Sequence, residues 1–206
     1  MLSIVVPIDA NTNIFYQETI KNFQNHNDVE MIFVDQAEAF TRAERLNLGF
    51  HRSHGEMILF HHPRSKLPID AIEFLIKESE KKDPSYIWGG FFHQFDNDHC
   101  FLKLISWYSN RIRVGLKGIV YLDHCIFFSR SMWTKDLPIQ YLFEDTELSL
   151  QFRKIKKPVL LPYTAVTSSH RFLKKGILRQ TLLNFLLKLG YKLQLPSSFL
   201  FSLYQR

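Results

Sequence analysis

Short apolar runs alternate with amphipathic segments through the first 80 residues, and this alternation constrains the fold more than any other feature. The runs end at polar residues and predict buried strands, namely Leu2–Ile8, Val29–Val34 and Glu56–His61. Apolar residues at helical spacing predict helices over Ile14–Phe23, Arg42–Ser53 and Ile69–Lys81. This order predicts an α/β fold with an open, mostly parallel sheet flanked by helices, whose ligands lie beyond the carboxyl ends of the strands.

The pattern is less regular from residue 85 onward. The predicted strands here are Tyr86–Phe92, Val120–Phe128 and Val159–Val166, and the predicted helices are Leu102–Leu116 and Glu144–Lys154. No internal repeat or flexible linker interrupts the sequence. We therefore expect one domain over residues 1–172, followed by a basic, apolar helical extension over residues 173–206.

Charge divides the 206-residue chain into two parts. Residues 148–206 contain eleven of the 26 Lys and Arg and none of the 20 Asp and Glu, although the net charge is only +6. Such a basic part fits an anionic partner, namely nucleic acid, a phosphorylated substrate or acidic lipid, or it is a solvated face without a partner. The two cysteines are far apart and predict no disulfide framework, which indicates a cytoplasmic protein and leaves contact with a membrane open.

The common catalytic fingerprints are absent from the sequence, including the Walker loop, GxGxxG, GxSxG and HExxH. Acidic residues at strand ends remain. Asp35 follows the apolar run of the second strand, where it either binds a nucleobase or ribose or caps the next turn, and Asp9 has the same two interpretations. Asp123 stands in the predicted strand Val120–Phe128, where a polar group needs a partner or a ligand.

A cluster of three acids opens the predicted helix at residue 144. Helix capping explains one carboxylate at such a position, because the backbone amides and the helix dipole favour negative charge there. The adjacent Glu144 and Asp145 exceed that requirement. They are also suited to hold a general base beside a sugar hydroxyl.

Seven short segments, taken in order, resemble the family 2 glycosyltransferases of GT-A fold, and within them the small bacterial branch of arsenosugar biosynthesis type. The segments are Ser3–Pro7, Phe33–Asp35, Thr41–Gly49, Gly55–Phe60, Gly118–His124, Phe143–Glu147 and Leu178–Asn184. The resemblance implies inverting transfer from a nucleotide sugar, expected to be UDP-linked, to an acceptor hydroxyl.

The resemblance also implies roles for individual residues. Asp145 would be the general base, with Glu144 beside it. The residues expected to bind the nucleotide sugar are Pro7, Asp9, Asp35, Arg42, Asn47 and Arg64. The residues expected on the acceptor side or in the pocket are Asp123, His124 and His170.

The sequence departs from this family at the end of the third strand. An aspartate that binds Mg²⁺ or Mn²⁺ is expected there, but the chain has Arg64 in His62-Pro63-Arg64-Ser65. Either Arg64, with Lys66 or His170, replaces the metal by pairing with phosphate, or the donor site is lost and the chain is a silent binding or scaffolding module. Only six residues separate Asp35 from Arg42, which shortens the nucleotide side of the predicted pocket.

The segment Leu173–Leu195 is apolar around most of a helical wheel and carries several lysines and arginines. This composition fits an anchor on an anionic membrane surface, and it equally fits a helix buried by its own domain or by a second copy. The basic residues adjoin apolar helices instead of alternating with aromatic residues. Nucleic acid is therefore the least favoured partner.

Overall fold

The computed structural model of the chain describes residues 1–9, 26–81 and 87–205. The predicted helix Ile14–Phe23 and the first residue of the predicted strand Tyr86–Phe92 lie outside these residues. Within them, seven strands form one sheet: β1 (Leu2–Pro7), β2 (Val29–Val34), β3 (Met57–Phe60), β4 (Ser65–Lys66), β5 (Trp88–Phe95), β6 (Ile126–Ser129) and β7 (Val159–Thr167).

The strand order is β2-β1-β3-β6-β5-β7-β4. β1 pairs in parallel with β2 and β3, and β5 pairs in parallel with β7, whereas β6 and β4 run antiparallel to their neighbours. Five of the seven described strands therefore point in one direction, with their carboxyl ends at the same edge. This confirms the predicted open, mostly parallel sheet.

Seven α-helices accompany these strands in the described residues: α1 (Arg42–Arg52), α2 (Ile69–Ser79), α3 (Cys100–Tyr108), α4 (Glu144–Phe152), α5 (His170–Lys175), α6 (Ile177–Lys192) and α7 (Ser197–Gln205). α3 continues into a π-helical stretch, Ser109–Leu116. α1 begins with a capping box, in which the Thr41 hydroxyl accepts from the Glu44 amide and the Glu44 carboxylate accepts from the Thr41 amide.

Helices cover both faces of the sheet, because the strand side chains alternate between two apolar clusters. Val5 packs in one cluster with Leu46 of α1 and Phe152 of α4. Ile4 packs in the other with Leu75 of α2. The near-continuous apolar runs of the sequence follow from this burial on two sides.

The predicted strand Val120–Phe128 is wrong in its first half. The structure has a 3₁₀ turn at Leu122–His124, and β6 begins only at Ile126. Both backbone polar groups of Val120 bond to the Ser149 hydroxyl at 2.9 Å, which leaves them unavailable for a strand partner. Cys125 then turns the chain with a left-handed φ of 52°.

The C-terminal segment, predicted as a helical extension over residues 173–206, forms three helices in the structure, the first of which begins at His170. Gly176, with a φ of 86°, separates α5 from α6, and α7 follows after a turn. Among the described residues, no helix combines the length and apolar character needed to cross a bilayer. α6 packs against α7 and extends toward the carboxyl edge of the sheet, where it lines a pocket.

Candidate functional site

Two adjacent carboxylates, Glu144 and Asp145, open α4 and are both buried. The residue before them, Phe143, has a left-handed φ of 69° although it is not glycine. Bulky residues adopt this conformation at a cost of about 1–3 kcal/mol, which the surrounding structure must offset. The strained residue immediately precedes the first turn of α4, where both carboxylates lie.

Arg42, near the start of α1, is the cation that accompanies these carboxylates. Its Nε donates a hydrogen bond to Oε1 of Glu144, and its guanidinium lies 4.0 Å from Oδ2 of Asp145. Burial alone would lower the pKa of Arg42, but the two carboxylates raise it above its ordinary value. Arg42 therefore stays charged and compensates the buried acids.

Asp145 has the ionisation expected of a general base. Burial and the neighbouring Glu144 raise its pKa to about 6, while Arg42 and the Leu122 amide oppose this rise. Its Oδ2 accepts from the Leu122 amide at 3.1 Å, and its Oδ1 accepts from the Thr146 amide at 2.8 Å. A carboxylate with a pKa near neutrality can both take up and release a proton at physiological pH.

A cavity of about 230 Å³ lies at the carboxyl ends of β3, β5 and β7. Four of the residues singled out from the sequence line it together, namely Arg42, Arg64, Asp123 and Asp145. The lining also includes residues that sequence reasoning did not assign to the site, among them His62, His93, Arg171 and Lys188. The carboxyl edge of a mostly parallel sheet is where α/β folds bind their ligands.

Positive charge dominates the pocket lining. Burial and neighbouring arginines lower the pKa of Arg171 to about 10. Burial and Arg113 lower the pKa of Lys188 to about 8. Both shifts have the same two causes, burial and the repulsion of neighbouring cations. Such a pocket is suited to an anionic ligand.

Arg171 and Lys188 carry little signal in the sequence. Arg171 lies four residues beyond β7, so its only cue is position after a strand. Lys188 lies on an apolar helix, and the sequence does not reveal which helical face meets the pocket.

Asp123 forms a second polar group in the pocket, together with two histidines. Its carboxylate lies 3.8 Å from Nε2 of His93 and 3.9 Å from Nε2 of His124. Burial acts to raise the pKa of Asp123, but His93, His124 and Arg113 lower it below its ordinary value. The carboxylate is therefore charged at neutral pH.

His124 lies behind Asp123 and not in the pocket lining. Its ring is fully buried and bonds to the Ser109 hydroxyl at 2.7 Å and to the Phe91 carbonyl at 2.8 Å. Burial lowers its pKa to about 4, which makes the ring neutral at physiological pH. These contacts suit it to position Asp123. His93, by contrast, lines the pocket, is buried, and has no hydrogen-bond partner on either ring nitrogen within the described residues.

Three residues expected to bind the nucleotide lie at the carboxyl ends of β1 and β2 but outside the pocket lining. Pro7 is the buried last residue of β1. Asp9 pairs with Arg45, and its charge still acts on the pKa of Arg64 and Arg171 in the pocket. The exposed Asp35 accepts from the amides of residues 37 and 38 at 2.8 and 3.0 Å, which is the turn-capping arrangement.

Two further predicted site residues also lie outside the lining. The Asn47 amide bonds to both backbone groups of Leu137 at 2.9 Å, so this side chain joins α1 to the chain before α4. His170 is exposed at the start of α5, and its neighbour Arg171 lines the pocket instead. The expectation that Lys66 or His170 assists Arg64 stays a prediction.

At the level of sequence, no family model and no curated protein matches the chain. Its fold, however, is similar to that of solved structures. S. aureus TarS 1-349 superposes with a TM-score of 0.57 over 82% of this chain, at 12% identity. The fold is that of the GT-A glycosyltransferases. Mannosyltransferase PcManGT from Pyrobaculum calidifontis, solved with GDP-Man and Mn²⁺, gives a TM-score of 0.55 over 80% of the chain at 11% identity.

The TarS fragment has also been solved with UDP-GlcNAc, and that structure gives a TM-score of 0.56 at 12% identity. The chain spans 56–60% of the length of these three structures. At such identities the similarity concerns the fold. Membership of family 2 and of its arsenosugar branch stays a prediction.

Proposed function

We propose that this chain is a glycosyltransferase that moves a sugar from a nucleoside-diphosphate sugar, UDP-linked in our expectation, to an acceptor hydroxyl with inversion. One observation above all supports the proposal. Asp145, a buried carboxyl with a pKa near 6, faces the same pocket as Arg42 and Arg64, at the carboxyl edge of a GT-A sheet.

The proposed reaction is a single displacement. The acceptor oxygen attacks the anomeric carbon as its proton passes to a carboxylate oxygen of Asp145, and the bond from that carbon to the phosphate oxygen breaks. The electron pair of this bond leaves with the nucleoside diphosphate. Removal of the hydroxyl proton by a positioned base contributes about 10²–10⁴ in rate, and stabilisation of the leaving diphosphate contributes separately.

The remaining residues divide between the two substrates. Arg42 and Arg64 are assigned to the donor, with Pro7, Asp9 and Asp35 at the edge nearest β1 and β2 and Asn47 supporting α1. Asp123, positioned by His124, is assigned to the acceptor side, where its carboxylate can accept a hydrogen bond from a sugar hydroxyl. His170 is exposed, and we assign it no direct contact.

An assay of nucleoside-diphosphate release tests this function. The full chain is mixed with UDP-GlcNAc or GDP-Man, with and without added sugar acceptors. The wild-type chain should release the diphosphate. The Asp145→Asn variant should bind the donor but release no diphosphate. Donor binding with no release by either form would support a silent binding module. Absence of donor binding would contradict the glycosyltransferase proposal.

The position of the acceptor relative to a membrane is a further part of this proposal. Exposed apolar side chains three or four residues apart form one face of α6 and of the residue that caps it: Leu178, Leu182, Phe185, Leu186, Leu189 and the cap Leu193. Arg179 and Lys192 are exposed at the borders of this face. An apolar stripe bordered by cations complements an anionic bilayer, so we infer that α6 lies on such a surface and that the acceptor is presented there.

A further inference from the structure

Within the proposed function, we infer that Arg64 and Arg171, together with Arg42, bind the donor diphosphate in place of a divalent metal ion. The inference rests on the proposed glycosyltransferase activity only for the identity of the ligand. The anion site itself is argued from the placement of the three side chains.

The residues of this pocket do not fit the metal that the fold family implies. Arg64 stands where the metal-binding aspartate is expected. Over residues 1–9, 26–81 and 87–205, no group of three or more His, Cys, Asp or Glu side chains is arranged to hold a metal ion. Two of the acids at this edge are also paired with arginines, since Glu144 bonds to Arg42 and Asp9 bonds to Arg45.

The sheet itself holds Arg64 and Arg171 side by side. Arg64 precedes β4 and Arg171 follows β7, and these two strands pair antiparallel with Ser65 opposite Thr167. The Arg64 carbonyl accepts from the Ser168 amide at 3.0 Å, and the hydroxyls of Ser65 and Thr167 are bonded at 2.6 Å. Two segments that are distant in sequence are therefore hydrogen-bonded at Arg64 and Ser168, and Arg171, three residues after Ser168, lines the same pocket as Arg64.

Both guanidinium groups have donors to offer a ligand. In the described part of the chain, the Arg64 guanidinium makes no hydrogen bond or ion pair. Arg171 packs on the ring of Tyr204 at 4.0 Å and forms no ion pair with a described carboxylate. Each guanidinium presents five N–H groups in a planar fork that matches two phosphate oxygens.

The electrostatics of the cluster favour an anion over a cation. Burial and Arg42 lower the pKa of Arg64, and Arg64 in turn lowers the pKa of Arg171. A diphosphate between these groups would replace mutual repulsion by attraction, whereas a metal ion would add to the repulsion. Fixed positive charge also stabilises the leaving diphosphate as the bond to the sugar breaks.

Calorimetry tests the inference directly. The affinities of the chain for UDP, GDP and inorganic pyrophosphate are each measured in EDTA and again with Mn²⁺. We expect at least one of the three to bind in EDTA, with an affinity that Mn²⁺ changes less than threefold. Arg64→Gln and Arg171→Gln should each weaken that binding about 10- to 100-fold, consistent with loss of a charge-assisted contact. The control Arg153→Gln changes an exposed arginine outside the pocket lining and should leave binding unchanged.

Thermal unfolding of each variant establishes that it is folded before binding is compared. Binding that requires Mn²⁺, or that is unchanged in both pocket variants, would overturn the inference, as would failure of all three anions to bind. The result also separates the two proposals. Metal-independent, arginine-dependent binding without sugar transfer would refute only the proposed function, whereas transfer that depends on Mn²⁺ would refute only this inference.

Discussion

Arg42 Nε donates a hydrogen bond to Oε1 of Glu144, so one arginine joins the first turn of α1 to the first turn of α4. Glu144 is completely buried, and its other oxygen has no partner within the described residues. A buried carboxylate of this kind is tolerated only with a charge beside it. The pair therefore fixes α4, and Asp145 with it, relative to the pocket.

Changing Asp145 to asparagine should lower the rate of sugar transfer by about 10²–10⁴, because the amide cannot take up the hydroxyl proton. For the wild-type chain, kcat/KM should rise with pH through a midpoint near 6, where Asp145 loses its proton, and then level off. Steady-state assays between pH 5 and 8 measure both effects. A pH profile that is flat over this range would exclude Asp145 as the base. The control variant Asp70→Asn, which changes an exposed carboxylate, should transfer sugar at the wild-type rate.

The same change should stabilise the fold at neutral pH. The pKa of Asp145 is about 6 in the folded chain against an ordinary value of 3.8, so ionisation costs the native state stability as the pH rises from about 4 to above 6. Asparagine removes this cost, and the gain should be roughly 1–3 kcal/mol at pH 8 and vanish near pH 4. Urea unfolding at both pH values measures the difference. A variant less stable than wild type at pH 8 would contradict this account.

Asn47→Ala should destabilise the protein by about 2 kcal/mol, because it removes two hydrogen bonds and leaves both backbone groups of the buried Leu137 unpaired. The midpoint of chemical denaturation measures this loss, with exposed Gln36→Ala as the comparison. Unchanged stability would mean that Asn47 does not hold this segment. Its role would then have to be sought in ligand binding.

Gly49→Ala tests the close approach of α1 to β1. A Cβ atom at residue 49 would lie 2.2 Å from Cγ1 of Val5, which neither backbone can accommodate without moving. We expect a loss of about 1–3 kcal/mol from overpacking. Adding Val5→Ala should recover part of this loss, although Val5→Ala alone destabilises the core. A double variant that is no more stable than Gly49→Ala would show that the clash lies elsewhere.

Flotation with lipid vesicles tests the exposed face of α6. The chain should associate with phosphatidylcholine vesicles that contain phosphatidylserine and not with pure phosphatidylcholine, and salt should weaken the association. Phe185→Asp and Leu189→Asp should reduce it, whereas Ile69→Asp, at an exposed apolar residue of α2, should not. Failure to associate, together with a dimer that Phe185→Asp dissociates, would assign this face to a second copy of the chain.

Several elements of the fold follow from local sequence. The strand Val29–Val34 has the predicted bounds, and α1 differs from its prediction by one residue, because apolar spacing and the Thr41–Glu44 cap are short-range features. The strand Val120–Phe128 fails for a reason no local pattern contains. The Ser149 hydroxyl, from α4, binds both polar groups of Val120.

The site shows the same division. The acids of α4 and the arginine after β3 are visible in the sequence, since adjacent carboxylates at a helix start and a strand-end cation are local patterns. Tertiary structure decided which of them meet: it brought Arg42, Arg64, Asp123 and Asp145 into one pocket and left Asp35 capping a turn. It also placed Arg171 beside Arg64 through the pairing of β4 with β7. Pairing between distant strands depends on the packing of the whole sheet, and that is why sequence spacing determined the elements but not the partners.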